Sequence, residues 1–381
     1  MGVITMSDKD QKIYELALQV LHHRLTIVEF SILIKKSYSQ SKRIIKKVKE
    51  TGMLGVKHGN LGKIPWNKTP DIILDDIKNL LQNDYSNFNL THFKEMLEIH
   101  EGIKLGKNII HKVAQKNNLV KRPKRRKKKV HKLRPRMPQA GMLIQFDGSE
   151  HEWLKNIVCD LVGGIDDATG EVLGAEFFIG ETSLHCMKVM KDITKSYGAP
   201  QAFYLDGAGY FGKHDRHTET QIARALESIN CNCIIAGSAQ AKGRIERLWN
   251  TFQDRLIAEL DFYKIKTIPA ANKFLKEDFL PRYNKNFSVQ ARSSENAFEN
   301  VDDKDLDLIF CRKEKRKVGN AMQFSYGGDM YVVDEDRNYR YRSIWINEHI
   351  DGTISHDIIG KKVKVKKCSI KKRKDHLTLA A

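Results

Sequence analysis

No stretch of this 381-residue chain strings together the roughly 18 apolar residues that a membrane-spanning helix needs, and its first residues lack a signal-peptide pattern. No membrane partner is expected. The six cysteines, Cys159, Cys186, Cys231, Cys233, Cys311 and Cys368, contain no CxxC pair and no regular framework, which excludes a zinc ribbon and a disulfide-stapled module. Cys231 and Cys233 alternate within an apolar run and read as buried strand residues in a reducing compartment. The expected location is intracellular. Acidic residues are also few, 47 against 66 Lys and Arg, for a formal net charge of +19. Most of that excess sits in blocks, which favours a polyanionic partner, nucleic acid ahead of a membrane surface.

Helix signals crowd residues 1–62. Ile13, Leu16, Ala17, Val20 and Leu21 share one face; Thr26 with Glu29, then Ser37 with Gln40, have the spacing of helix-opening caps. In the third helix Ile44, Ile45 and Val48 point inward and Gln40, Ser41, Lys42, Arg43, Lys46 and Lys47 outward. This is the pattern of a helix-turn-helix unit; a solvated face on a small bundle is the alternative. Residues 68–120 read as a second such unit, whose last helix exposes Lys107 and Lys112. His92, His100 and His111 have no cysteine partners and are expected at surface or cap positions. Residues 121–140 form a basic, proline-containing linker in which Lys124, Arg125 and Arg126 are candidate phosphate contacts.

From 141 to 265 three strand patterns precede alternating helices and strands, the mark of an α/β sandwich around a mixed sheet. A helical appendage follows over 266–304, then short strands over 305–368 that suggest a small β-barrel, and a basic tail over 369–381.

The candidate chemistry lies in three acids. Asp147 closes the run MLIQFD and Asp206 closes AFYLD, each followed by glycine, so both are expected at strand ends with the carboxylate off the sheet edge. Glu246 lies on an amphipathic helix whose Ile245, Leu248, Phe252, Leu256 and Leu260 face a core, with Lys242, Arg244 and Arg247 around it as candidate phosphate contacts. Three carboxylates brought together repel unless cations bind between them, and oxygen-only ligands select Mg²⁺ or Mn²⁺. Two such ions about 3.5–4 Å apart suit in-line phosphoryl displacement. Asp166 and Asp167, in the turn DDATG, are expected to cap and bend the chain, and His151 and Trp153 to border the site.

Asp147 in QFDGSEHEWL, the strand-turn GGIDDATGEVLGAEF, Asp206 in YLDGAGYFG and Glu246 in SAQAKGRIERLWNTFQDRL resemble the DDE integrase core of insertion-sequence transposases, most closely the ISNCY group. The resemblance extends over most of the chain. It implies a ribonuclease-H-like core between helix-turn-helix units and a small β domain. The implied activity is metal-dependent cleavage at the ends of a mobile element and joining of the 3′ ends to target DNA. By motif, Asp147, Asp206 and Glu246 would be the metal-binding catalytic triad for two Mg²⁺ or Mn²⁺ ions, acting on double-stranded DNA in at least a dimer. A transposase-derived regulator without catalysis is the alternative. A tyrosine-type recombinase is disfavoured, since HDRHTETQIAR has no Arg, His-x-x-Arg and Tyr constellation.

Overall fold

The computed structural model describes residues 7–57, 60, 64–120, 134–206, 220–235 and 243–368, with the backbone alone for 303–305. Lys124, Arg125 and Arg126 of the linker, Lys242, the loop after Asp206 with His214 and His217, and the tail lie outside the described residues. The chain divides into two compact units, Met1–Asp75 and Asp76–Ala381. No helix of the described residues is long and apolar enough to cross a membrane.

In the first unit α1 (Asp8–Leu21), α2 (Ile27–Leu33) and α3 (Tyr38–Thr51) bury Ile13, Ala17, Phe30, Ile45 and Val48 against one another. Side-chain oxygens of Ser7, Thr26 and Ser37 cap the three helices, and Thr26 with Glu29 makes the full reciprocal capping box. Gln40, Lys42, Arg43, Lys46 and Lys47 are exposed along α3. Ser41 is buried instead, because positions 41, 45 and 48 fall on one helical stripe.

α4 (Asp71–Gln82), α5 (Leu90–His100) and α6 (Lys107–Lys116) follow, and Lys107 and Lys112 are exposed on α6. α5 is fastened to the sheet-covering helix α9 (Gly243–Phe262). Arg255 grips Glu95 through both terminal nitrogens, at 2.6 and 3.1 Å, and His92 Nε2 meets Glu259 Oε1 at 2.7 Å. Tyr85 stacks on Phe262 with ring centroids 5.0 Å apart. His92 is therefore a buried residue, not the surface or cap histidine its lack of cysteine partners suggests.

The core of the second unit is a five-stranded sheet in the order β3-β2-β1-β4-β5. β1 (Ile144–Leu154), β2 (Ile157–Asp166) and β3 (Val172–Phe178) form an antiparallel meander, while β4 (Ala202–Leu205) and β5 (Asn232–Ile235) run parallel to β1. The parallel strands need crossovers, supplied by α7 (Ser183–Tyr197) and α8 (Gln221–Glu227). These helices bury Ile144, Phe146, Met187, Met190, Phe203, Leu205 and Ile222 on one face. On the other, α9 buries Ile245, Leu248, Phe252 and Leu256 against Trp153, Leu161 and Phe177. A mixed sheet with helices on both faces, entered through a three-stranded meander, is the ribonuclease-H-like arrangement.

After α9, α10 (Ile268–Phe274), a π-helical turn (Leu275–Phe279) and α11 (Leu280–Phe287) add Ala271, Leu275 and Phe279 to the α9 face. Two asparagines satisfy the free edge of β3. Asn272 bonds both the N–H and C=O of Phe177, at 2.7 and 3.1 Å, and Asn284 does the same for Val172 at 2.9 Å each. α12 (Asp303–Ile309) leads onward, with Leu306 in the α7-side core.

The C-terminal strands do not close into the expected barrel. β6 (Arg312–Lys317), β9 (Ser343–Glu348), β10 (Ile354–Ile358) and β11 (Lys361–Lys362) make one sheet; β7 (Gln323–Tyr326), β8 (Asp329–Val333) and β12 (Val365–Cys368) make another. The run from Lys361 to Cys368 breaks at buried Val363 and passes from the first sheet to the second. β6 pairs with β9 and β7 with β8, and no described ladder joins β6 to β7. Val318, Phe324, Val333, Ile344, Ile346 and Ile358 fill the space between the sheets, as in a sandwich.

Candidate active site

Asp147 does not end its strand. β1 continues to Leu154, with Asp147 opposite Gly163 and Gly148 opposite Val162 on β2, because the strand that follows it directly folds back and extends the ladder. What ends there is the neighbour on the other side. β4 stops at Leu205, with Asp206 as the next residue, so that flank of β1 opens at Asp147. The printed pairs, Ile144 with Phe203 and Gln145 with Tyr204, share an offset of 203 − 144 = 59, and 206 − 147 is also 59. Carried two residues further, the same register sets Asp147 alongside Asp206.

Strand alternation assigns their face. Ile144 and Phe146 of β1, and Phe203 and Leu205 of β4, lie in the α7-side core, so Asp147 and Asp206 fall in the opposite phase, with α9. Gln145, in phase with Asp147, accepts a hydrogen bond from Ile245 N at 3.2 Å. That bond ties the first turn of α9 to β1 two residues before Asp147. Glu246 is the next residue and is exposed, while Asp147 and Asp206 are half-buried. Among the described residues no three His, Cys, Asp or Glu side chains are gathered tightly enough to hold a metal ion. In this structure Glu246 does not complete a ligand cluster with the two aspartates.

A fourth carboxylate, Glu181, was not singled out from sequence. It accepts from Cys186 Sγ at 3.3 Å, and a Cβ on Gly148 would come within 2.3 Å of its Oε2. Gly148 thus lies within the strand and against Glu181, whose flexible end would have to swing aside for a Cβ. Burial pushes the Cys186 thiol up, with Glu181, Asp206 and Asp147 adding to it in that order. The signal available in sequence was only an acid ahead of the Thr182 helix cap.

The basic residues divide. Arg247 is exposed and donates to Gly243 O at 2.7 Å. Arg244, read as a phosphate contact, is engaged with buried Asp167 at 2.7 Å. Asp166 and Asp167 are both buried and hydrogen-bonded, and Trp153 is a core residue whose Nε1 donates to Ser149 O at 2.8 Å. Trp153 does not border the site; His151 stays exposed and edge-on to it.

A strongly basic chain with two aspartates in register on a mixed sheet, and an acid-bearing helix tied across it, has the core of the ribonuclease-H-like class. No family model matches it. It is 30% identical over 346 residues to "Putative transposase y4bF" of Sinorhizobium fredii (strain NBRC 101917 / NGR234), covering 88% of this chain and 75% of that protein. It is 29% identical over 340 residues to the transposase for insertion sequence IS1202 of Streptococcus pneumoniae, covering 78% and 72%. The chain belongs to this family of transposases. Solved structures similar to it include the HTLV-2 integrase catalytic core domain in complex with magnesium (16% identity, TM-score 0.29, 35% of this chain and 83% of that one). Another is the simian T-cell lymphotropic virus intasome in complex with PP2A regulatory subunit B56 gamma (12%, 0.35, 77% and 99%).

Proposed function

We propose that the chain cuts DNA at the ends of its insertion sequence and joins the 3′ ends to target DNA, with Asp147, Asp206 and Glu246 as its metal-binding catalytic triad. The observation that carries this reading is the shared offset of 59, which aligns the two aspartates on the α9 face. Side by side, two carboxylates repel each other and together favour a hard divalent cation, so the donor set fits Mg²⁺ or Mn²⁺. Bound there, two such ions would activate the attacking oxygen and stabilise the leaving one. Glu246 supplies the third carboxylate from the first turn of α9, and exposed Arg247 beside it is placed to meet phosphate.

Gln40, Lys42, Arg43, Lys46 and Lys47 on α3, and Lys107 and Lys112 on α6, are the exposed residues assigned to DNA reading in helix-turn-helix units. Lys124, Arg125, Arg126 and Lys242 would add backbone contacts. Coupled joining of two element ends calls for at least a dimer on double-stranded DNA. Glu246→Gln tests the triad: with Mg²⁺ and end-bearing DNA, cleavage should disappear while DNA binding stays at the wild-type level. Retained cleavage removes Glu246 from the triad. A wild-type protein that binds ends tightly without cutting them would instead be a regulator.

A further inference from the structure

The turn DDATG contains two buried aspartates with different work. Asp166 shapes the turn: its Oδ1 accepts from Thr169 N at 2.8 Å and Thr169 Oγ1 at 3.1 Å, and its Oδ2 from Gly141 N at 2.8 Å. Asp167 is left to reach elsewhere. Its Oδ1 accepts from Arg244 Nε at 2.7 Å, Gln145 Nε2 at 2.8 Å and Arg134 Nη2, and its Oδ2 from Met137 N at 2.9 Å. Asp167 and Gln145 are both fully buried.

These bonds converge on one element. Gln145, held by Asp167 through its amide nitrogen, uses its amide oxygen to accept from Ile245 N at 3.2 Å, one of the first-turn donors a helix leaves without an internal partner. Arg244, on the same turn, also donates to Arg134 O at 3.2 Å. A single carboxylate thereby fastens the start of α9 to β1, and fastens both to Arg134, the first described residue of the basic linker. Two guanidiniums on one buried anion make its charge indispensable, since a neutral replacement leaves both cations short of their partner.

We propose that Asp167 is a positioning residue for Glu246, setting the first turn of α9 against β1 and coupling that turn, through Arg134, to the linker. The inference rests on the triad reading for its catalytic meaning, but the fastening has a readout of its own. Asp167→Asn in the full chain should lower amide-exchange protection across 243–250 by roughly tenfold while α7 and β2–β3 keep theirs. Cleavage of end-bearing DNA should fall about 10- to 100-fold and recover in part at raised Mn²⁺, with DNA binding unchanged. Unchanged protection at 243–250, or a uniform loss over the whole sheet, overturns the proposal. So does wild-type cleavage at wild-type metal demand.

Should Asp167→Asn fail to fold, Arg244→Lys decides, because it keeps the charge but loses the fork shared by Asp167 and Arg134 O. It should loosen the same peptide, and no change there overturns the proposal. If the wild-type protein does not cleave at all, the proposed function fails, and the exchange result still decides whether Asp167 sets the turn.

Discussion

Replacing Glu259 by glutamine removes the anion from an enclosed ion cluster between α5, α9 and α11. Glu259 and His92 are each 1% exposed. Oε1 of Glu259 meets His92 Nε2 at 2.7 Å, and Oε2 takes Arg282 Nη2, while Arg282 keeps a second anion in Asp278 at 2.6 Å. His92 has no such reserve, since its Nδ1 is buried without a partner. Burial alone would push the Glu259 carboxyl up; the hydrogen bonds from His92 and Arg282 outweigh it and hold it below the ordinary carboxylate range. Breaking a buried pair costs about 3–5 kcal/mol. Because glutamine keeps the shape and Arg282 keeps Asp278, the lower end applies, about 3 kcal/mol. At about 2 °C per kcal/mol for a large unit, the melting temperature should drop by roughly 6 °C near neutral pH. A depressed folded pKa means this stabilisation is full above the unfolded value, about 4.3, and is lost as pH falls through the folded one. Calorimetry of both proteins across that range should therefore show the gap narrowing on acidification. A gap under about 1 °C at neutral pH, or one that widens in acid, refutes the reasoning.

Two further outcomes are expected. Gly148→Ala should cost less than the roughly 1–3 kcal/mol of an overpacked core, because its Cβ would meet only the flexible end of Glu181, which can swing aside; a loss of about 3 kcal/mol or more in thermal unfolding would contradict this. Burial pushes the Cys159 thiol up to about 11 and the Cys231 thiol up to about 12, and raises Cys186 too, so iodoacetamide near pH 8 should label half-exposed Cys368 well before any of them in the folded chain. Mass spectrometry showing early alkylation of Cys186 would argue against the buried site.

Local signals were legible wherever a few neighbouring residues decide the structure. The Thr26–Glu29 capping box and the Ser37 cap are present, and the strand patterns of the sheet and the α9 stripe fall where periodicity puts them. Readings failed where a distant partner decides. Gly148 looked like a turn after Asp147, but pairing with Val162 of β2 carries the strand through it. His92 looked like a surface residue until Glu259, 167 positions away, gave it a buried partner. β6, RKEKRK, has no apolar alternation at all; it is an edge strand, where charge is the normal protection. The anion that Arg244 meets, Asp167, sits 77 residues earlier and is out of reach of any reading of neighbours.

The asparagine pair on β3 also constrains how copies of the chain can meet. Asn272 and Asn284 each occupy a backbone donor and acceptor on that strand, imitating two rungs of a ladder that a sixth strand would otherwise make. Strand addition from another molecule at β3 would first have to peel α10 and α11 away, together with the Leu275 and Phe279 side chains they anchor in the core. Partners that approach the core at β3 without unfolding it are thereby steered to side-chain surfaces, and no sixth strand is added on that flank.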